Sequence, residues 1–157
     1  MTEQQVTVQY ATGRRGVPAA ASFRRWAAAA LAGSEGEVTI RVVGETESAV
    51  LNGRYRSRPR PTNVLSFPAP PLPDGSRPIL GDLAIAAPVV AREASEQGKA
   101  PRAHWAHMVV HGCLHLLGYD HMEENEAIRM EALERRILAG LGFPDPYRIT
   151  ETSQRRR

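Results

Sequence analysis

Residues 111–121 of this chain read HGCLHLLGYDH, a run in which three histidines are spaced four and then six residues apart. On a helix, residues four apart project from the same face, so His111 and His115 present their imidazoles about one turn from each other. Gly118 follows the end of the helical pattern, where a left-handed cap favours glycine. The chain then reverses, which brings His121 back toward the same point. The run therefore predicts three nitrogen ligands for one metal ion.

A set of three histidine ligands leaves the fourth position of a tetrahedral metal open, which is typical of a catalytic zinc and not of a structural one. Zn²⁺ is the expected ion, at one per chain, although nickel, copper and iron also accept imidazole ligands. Ordinary core or surface histidines are the alternative. The rest of this helix is apolar, which predicts a buried element, and buried histidines need partners. The pattern therefore favours a metal site.

Four further residues in or beside the run have roles that the pattern leaves open. His107 lies on the same helical stripe and is expected to orient a ligand or face the substrate. His104 lies there too, and a plain surface histidine is an equal alternative. Asp120 either accepts the second N–H of a ligating imidazole or is a turn residue. Cys113 points away from the His111 face, so a small buried thiol is favoured over a fourth ligand.

The same histidine spacing occurs in metzincin-type zinc peptidases. Their motif places a glutamate directly after the first histidine, where it acts as the general base. In this chain that position is Gly112. The metal geometry is kept and the base is missing, so a zinc peptidase or amide hydrolase is an alternative that the sequence weakens.

Irregular mixing of helical and extended patterns predicts an α+β fold, with a small mixed sheet of about four strands and about five helices. Strands are predicted at Val6–Tyr10, Glu37–Val43, Thr62–Phe67 and Leu80–Ile85, and helices at Ala19–Ala32, Thr46–Asn52, Pro88–Gln97, Arg102–Leu117 and His121–Ala139. Residues 68–78 contain five prolines and predict a loop. Residues 1–150 are expected to form one domain, followed by a polar tail at 151–157.

Composition excludes several classes of protein. A chain of 157 residues with 42% hydrophobic and 24% charged residues is ordinary for one globular domain. One cysteine allows no intramolecular disulfide. No apolar run reaches the roughly 18 residues of a membrane span, and the first residues lack the pattern of a signal peptide. We therefore expect a cytoplasmic protein without membrane association.

The run at 111–121 resembles the signature of the YbeY family, bacterial metal-dependent endoribonucleases that act in ribosomal RNA maturation. Residues 51–56, 61–68 and 80–85 resemble further blocks of this family in the expected order, and residues 126–138 resemble its closing helix. The resemblance covers about 38–141. In one departure, Pro59 stands where the family usually carries an acidic residue.

This resemblance implies a single zincin-like domain whose metal ligands are His111, His115 and His121, and it implies a functional arginine at Arg56. It implies cleavage of single-stranded RNA in maturation of the 16S ribosomal RNA 3′ end and in ribosome quality control. The expected partners are the small ribosomal subunit and its assembly factors, and not DNA. Arg56 and His111 are expected to be catalytic, with Arg56 stabilising charge on the phosphate. A non-catalytic ribosome assembly factor with a structural metal is the other alternative.

Arginines alternate through the segment around Arg56, at Arg54, Arg58 and Arg60. In an extended chain they would share one face and present guanidinium groups to RNA phosphates. A solvated basic loop is an equal alternative for these three. The arginines at 155–157 are expected to belong to a solvated tail, with phosphate contact as the lesser alternative.

Overall fold

The computed structural model describes residues 5–120 and 123–148, and these form four strands and five helices. In chain order they are β1 (Val6–Tyr10), α1 (Ala20–Ala30), β2 (Glu37–Val43), α2 (Glu45–Arg56), β3 (Val64–Pro68), β4 (Ile79–Ala86), α3 (Ala87–Gln97), α4 (Pro101–Leu116) and α5 (Glu124–Gly140). The predicted α+β class, strand number and helix number are confirmed for this part of the chain. The predicted tail lies outside the described residues. None of the described helices is long and apolar enough to cross a membrane.

The strands form one mixed sheet in the order β1-β2-β4-β3. The pairs β1 with β2 and β2 with β4 are parallel, and β3 lies antiparallel to β4 at one edge. In β2, Val38, Ile40 and Val42 are buried, whereas the intervening Thr39 and Arg41 are half-buried. This period of two gives the sheet an apolar face toward the main core.

Helices α1 and α4 supply the other half of that core. Phe23 and Trp26 of α1 meet edge to face, and Phe23 lies 5.6 Å from Trp105 of α4 between ring centroids. Helix α4 also packs against β3, β4 and α5. The histidine run predicted to bind metal therefore lies on a helix that is enclosed by the sheet and by three other helices, α1, α3 and α5.

Two hydrogen bonds fix the C-terminal half of α4 relative to the sheet. Arg77, at the end of the proline-rich loop, donates from Nη2 to the carbonyl of Leu116 at 3.0 Å. The hydroxyl of Ser66 in β3 donates to the carbonyl of Gly112 at 3.3 Å. The helix end that carries the histidine run is therefore tied both to a loop and to the edge strand.

Helix α2 is longer than predicted, because it runs to Arg56 and not to Asn52. The prediction ended it at about Asn52, where a segment rich in arginine and proline begins. In the structure, a side chain added at Gly53 would lie 3.4 Å from Pro59, so this glycine lets the following segment pack closely. The helix ends at Ser57, which adopts the left-handed conformation at φ 59°.

Candidate metal centre

Helix α4 begins with Pro101 in its first turn and ends just before Gly118, which has a φ of 102°. A proline costs little at the first helical position because the missing N–H has no intrahelical partner there. The amide of Gly118 donates to the carbonyl of His115 at 3.0 Å, and that of Tyr119 donates to Leu114 at 3.1 Å. The predicted glycine after the histidine helix is confirmed, because Gly118 directly follows the C-cap residue Leu117.

Four histidine rings follow one another along α4, as the spacing predicts. Ring centroids of neighbouring histidines lie 6.2, 6.2 and 4.6 Å apart, in the order His104, His107, His111 and His115. His104 and His107 are buried, whereas His111 and His115 are half-buried. The row therefore passes from the interior toward the surface at the end that carries the predicted ligands.

His111 and His115 point the same ring atom at one location. Their Nε2 atoms lie 3.2 Å apart. Two nitrogen ligands of a tetrahedral zinc, each about 2.0–2.1 Å from the ion, would be separated by about 3.3 Å. This separation is therefore compatible with a shared metal ion, and it is also a distance at which one imidazole can donate a hydrogen bond to the other.

The third predicted ligand, His121, lies outside the described residues. Asp120 is exposed and follows the glycine turn. Its predicted role in orienting an imidazole stays a prediction.

Glu134 of α5 is fully buried and accepts hydrogen bonds from three side chains. His107 donates from Nε2 to Oε1 at 2.6 Å, and the Tyr147 hydroxyl donates to the same oxygen at 2.7 Å. His111 donates from Nδ1 to Oε2 at 3.2 Å. Burial opposes ionisation of Glu134, but the hydrogen bonds from His107 and His111 outweigh it and lower its pKa to about 2. The site therefore contains a buried carboxylate anion directly behind His111.

His107, His111 and Glu134 also form a second set of residues that could hold a metal, because one ligand atom of each lies within 4.8 Å of the others. The 2.6 Å between His107 Nε2 and Glu134 Oε1 is a hydrogen-bond distance. It is shorter than the separation of about 3.3 Å expected for two ligand atoms on one tetrahedral ion. The pair at His111 and His115 fits a metal better as it stands.

The remaining histidine and the cysteine are structural parts of the interior. His104 is 3% exposed and its Nε2 lies 2.9 Å from the carboxylate of Glu93, which also accepts a hydrogen bond from Asn63. The surface alternative for His104 is therefore wrong. Cys113 is fully buried, and burial raises the pKa of its thiol to about 12. It is the buried thiol that the sequence favours.

Gly112 faces the sheet and not the metal site. A Cβ at this position would lie 2.8 Å from Leu83 Cδ2 and 3.3 Å from Val64 Cγ2, both in buried side chains. At the position where zinc peptidases carry their general base, a glutamate would therefore require the buried Leu83 side chain to shift. This packing strengthens the case against peptidase chemistry.

The arginine segment differs from its prediction as an extended chain. Arg54 and Arg56 belong to the last turn of α2, where residues two apart project in different directions. The expectation that all four arginines share the face of an extended strand is therefore wrong. All four side chains are nevertheless exposed.

Hydrogen bonds from side chains of α2 hold residues 60–62, at the end of the arginine segment. The side chain of Asn52 donates to the carbonyl of Arg60 at 2.9 Å, and the hydroxyl of Ser48 donates to that of Thr62 at 3.0 Å. Beside them, the exposed ring of Tyr55 meets Phe67 of β3 edge to face, with 4.5 Å between centroids. The arginine-containing segment is thus held by hydrogen bonds to α2 and lies next to the edge strand β3.

Two residues of the site were not predicted, Glu134 and Tyr147. A signal for Glu134 exists in the sequence, because it lies four residues from both Met130 and Leu138, which are buried on the same face of α5. A charged residue in the middle of an apolar stripe needs a buried partner. Tyr147 gave no signal, since it lies in an irregular segment after α5.

Comparison with known proteins places this chain in a family. The family model for the endoribonuclease YbeY matches residues 9–142. A protein named endoribonuclease YbeY from Alkalilimnicola ehrlichii is 60% identical over 151 residues, covering 92% of this chain and 91% of the relative. A protein of the same name from Stenotrophomonas maltophilia is 59% identical over 148 residues, covering 90% and 92%.

The fold has a solved counterpart as well. A solution structure of a Thermotoga maritima protein superposes with a TM-score of 0.57 at 20% identity, covering 92% of this chain and 99% of that one. At this identity the likeness concerns the fold alone. The family match over most of the chain and the high identity to its members carry the assignment: this protein belongs to the YbeY family of endoribonucleases.

Proposed function

We propose that this protein hydrolyses phosphodiester bonds of single-stranded RNA with the help of one bound metal ion, and that its substrate is ribosomal RNA at the 3′ end of the 16S molecule. The observation that carries the metal-dependent part is the pair of Nε2 atoms of His111 and His115, 3.2 Å apart at the end of a buried helix. Membership of an endoribonuclease family supports RNA as the substrate. We place the activity in the cytoplasm, on the small ribosomal subunit and among its assembly factors.

His111, His115 and His121 are the proposed ligands, and Zn²⁺ is the proposed ion. When bound, such an ion supplies Lewis acidity at a phosphoryl oxygen or a nucleophile at neutral pH. Imidazoles are ligands that zinc accepts readily, and the two that the structure describes are already converged. The protein's part is to hold this set with one position open to substrate.

Arg56 is the proposed phosphate-binding and charge-stabilising residue. Its guanidinium is exposed at the end of α2, next to the exposed Arg54 and Arg58. A planar guanidinium forms paired hydrogen bonds to phosphate oxygens, and these strengthen as charge develops in the reaction. Arg54, Arg58 and Arg60 are proposed to contribute to RNA affinity and not to the chemical step.

Replacing Arg56 with glutamate is expected to lower the rate of RNA cleavage by about 100-fold to 1,000-fold, the usual effect of losing one group that stabilises transition-state charge. Metal affinity and thermal stability are expected to stay at the parent values, because Arg56 is exposed and is not one of the proposed metal ligands. Arg25→Glu on α1 is the matched control, since it changes net charge equally at another exposed helical position. Equal losses in the two variants would assign the effect to overall charge and contradict the proposed role.

Two other functions fit the site less well. A peptidase needs a general base beside the metal, and Gly112 lacks the carboxylate and packs against the buried Leu83 side chain. An assembly factor with a structural metal needs a fourth protein ligand that closes the site. Metal-loaded protein that cut an unstructured polypeptide but not RNA would favour the first, and a closed four-ligand metal without RNA cleavage would favour the second.

Removal of the metal is the direct test of the proposed function. Protein purified without an affinity tag is expected to contain about one ion per chain and to cut a single-stranded RNA in preference to the same sequence in a duplex. Chelation is expected to abolish cleavage, and Zn²⁺ is expected to restore it. The measurement is the rate of RNA cleavage alongside metal analysis of the same sample. Cleavage that persists at the parent rate after the metal is removed would contradict the proposal.

A further inference from the structure

The carboxylate of Glu134 is held from two directions. One donor on its Oε1 is His107, from the middle of α4, at 2.6 Å. The other is the hydroxyl of Tyr147, from the segment after α5, at 2.7 Å. Because both bonds converge on one oxygen of a fully buried side chain, the second oxygen is left facing His111.

Tyr147 is itself held in place by its neighbours. Asp145 accepts a hydrogen bond from the Tyr147 amide at 2.8 Å and from Arg135 of α5 at 3.2 Å. The Arg135 guanidinium also lies 5.1 Å from the centre of the Tyr147 ring. The ring meets that of His107 edge to face at 5.4 Å. Residues 145–147 thus form a strap that docks Tyr147 against the site, and the strap lies beyond the matched range 9–142.

The contact with Glu134 decides which nitrogen of His111 carries the proton. A carboxylate accepts hydrogen bonds and cannot donate them, so the ring nitrogen facing it, Nδ1, must be the protonated one. In the neutral imidazole the lone pair is then on Nε2, the atom that lies 3.2 Å from Nε2 of His115. The contact therefore selects the tautomer that can bind a metal between the two histidines.

We propose that Tyr147 and Glu134 are positioning residues for His111: Tyr147 fixes the buried carboxylate, and the carboxylate fixes the ring orientation and tautomer in which His111 binds metal. This inference rests on the metal ligands proposed above. Neither residue contacts substrate or metal in this arrangement. Residues 145–147 thereby support the metal site, because they place the Tyr147 hydroxyl on Glu134.

Metal affinity of two conservative variants tests the inference. Tyr147→Phe removes only the hydroxyl and is expected to weaken Zn²⁺ binding by about 10-fold, and Glu134→Gln by about 100-fold, in line with partners behind ligating histidines in other sites. Glu134→Gln has the larger effect because an amide N–H facing Nδ1 would move the His111 proton to Nε2. Affinity is measured by competition with a chromophoric chelator.

Tyr10→Phe is the matched control. The Tyr10 hydroxyl also donates one half-buried hydrogen bond, to the carbonyl of Pro18 at 2.8 Å, on β1 and away from the histidines. The control and Tyr147→Phe should lose similar stability, about 1 kcal/mol for one hydrogen bond. The control should bind Zn²⁺ as the parent does. Equal affinities of Tyr147→Phe and Tyr10→Phe would overturn the role of Tyr147.

A second readout requires neither metal nor RNA. Long-range ¹⁵N–¹H correlation spectra of the metal-free protein are expected to show His111 protonated at Nδ1, and the Glu134→Gln variant is expected to show the proton on Nε2. An unchanged His111 tautomer in the variant would overturn the inference. So would loss of metal binding in Glu134→Gln together with full binding in His115→Ala, because Glu134 would then be a ligand. Failure to cut RNA would contradict the proposed function and leave these spectra and affinities unaffected.

Discussion

Replacement of His115 by alanine is expected to weaken Zn²⁺ binding by about 100-fold or more and to abolish metal-dependent RNA cleavage, while the protein stays folded. Complete zinc sites with about four ligands bind with roughly 10–16 kcal/mol, so one lost ligand removes a few kcal/mol. The fold should survive because His115 is half-buried in the last turn of α4, and alanine is the best helix former. Chelator competition measures the affinity, and circular dichroism on heating measures the fold.

His107→Gln is the comparison that makes this result decisive. Glutamine keeps an N–H donor for Glu134 but is a poor zinc ligand, so it separates the hydrogen bond at 2.6 Å from metal ligation. If His111 and His115 hold the metal, the Zn²⁺ affinity of His107→Gln stays within about 10-fold of the parent. This is the smallest loss of affinity usual when a residue that supports a ligand is replaced. If the set His107, His111 and Glu134 holds it instead, the two variants exchange their phenotypes. That exchange would contradict the proposed ligands.

Much of this site could be predicted from local sequence, because its main determinants are local. The spacing of His111 and His115 and the glycine at 118 act within two helical turns, and backbone geometry alone relates them. The sheet could be predicted in outline for the same reason, since β1 and β2 show a local alternation of apolar residues and β3 and β4 are short apolar runs. The helix end at Arg56 was missed because Gly53 lies inside α2, although glycine has a low helix propensity and opens a segment rich in arginine and proline.

Glu134 and Tyr147, the residues that support His111, could not be predicted in the same way, because they are distant from it in sequence and come together with it only in the folded chain. Glu134 lies 23 residues from His111 and joins it only after α5 packs on α4. Its position between the buried Met130 and Leu138 marks it as unusual but does not identify its partner. Tyr147 reaches the carboxylate from an irregular segment, where no periodic pattern applies.

A Gly112→Glu variant, which restores the peptidase form of the motif, is expected to fail to fold and to gain no peptidase activity. The added Cβ alone would lie 2.8 Å from Leu83, which is fully buried. Overpacking of this kind costs about 1–3 kcal/mol, and a buried carboxylate without a partner costs about 3–5 kcal/mol more. Together these approach the whole stability of a typical domain, about 5–15 kcal/mol. Thermal unfolding and the yield of folded protein measure the effect.

Gly140→Glu is the matched control, because the same substitution at the end of α5 meets no atom within 4 Å. It should unfold within about 1 kcal/mol of the parent, since exposed substitutions usually have small effects. Gly112→Ala should fall between the two, because Leu83 must give way to a single methyl group. A stable Gly112→Glu protein that cleaved a polypeptide would contradict both the packing argument and the exclusion of peptidase chemistry. The expected result means that the contact between α4 and the sheet, and not the metal ligands, separates this site from that of a zinc peptidase.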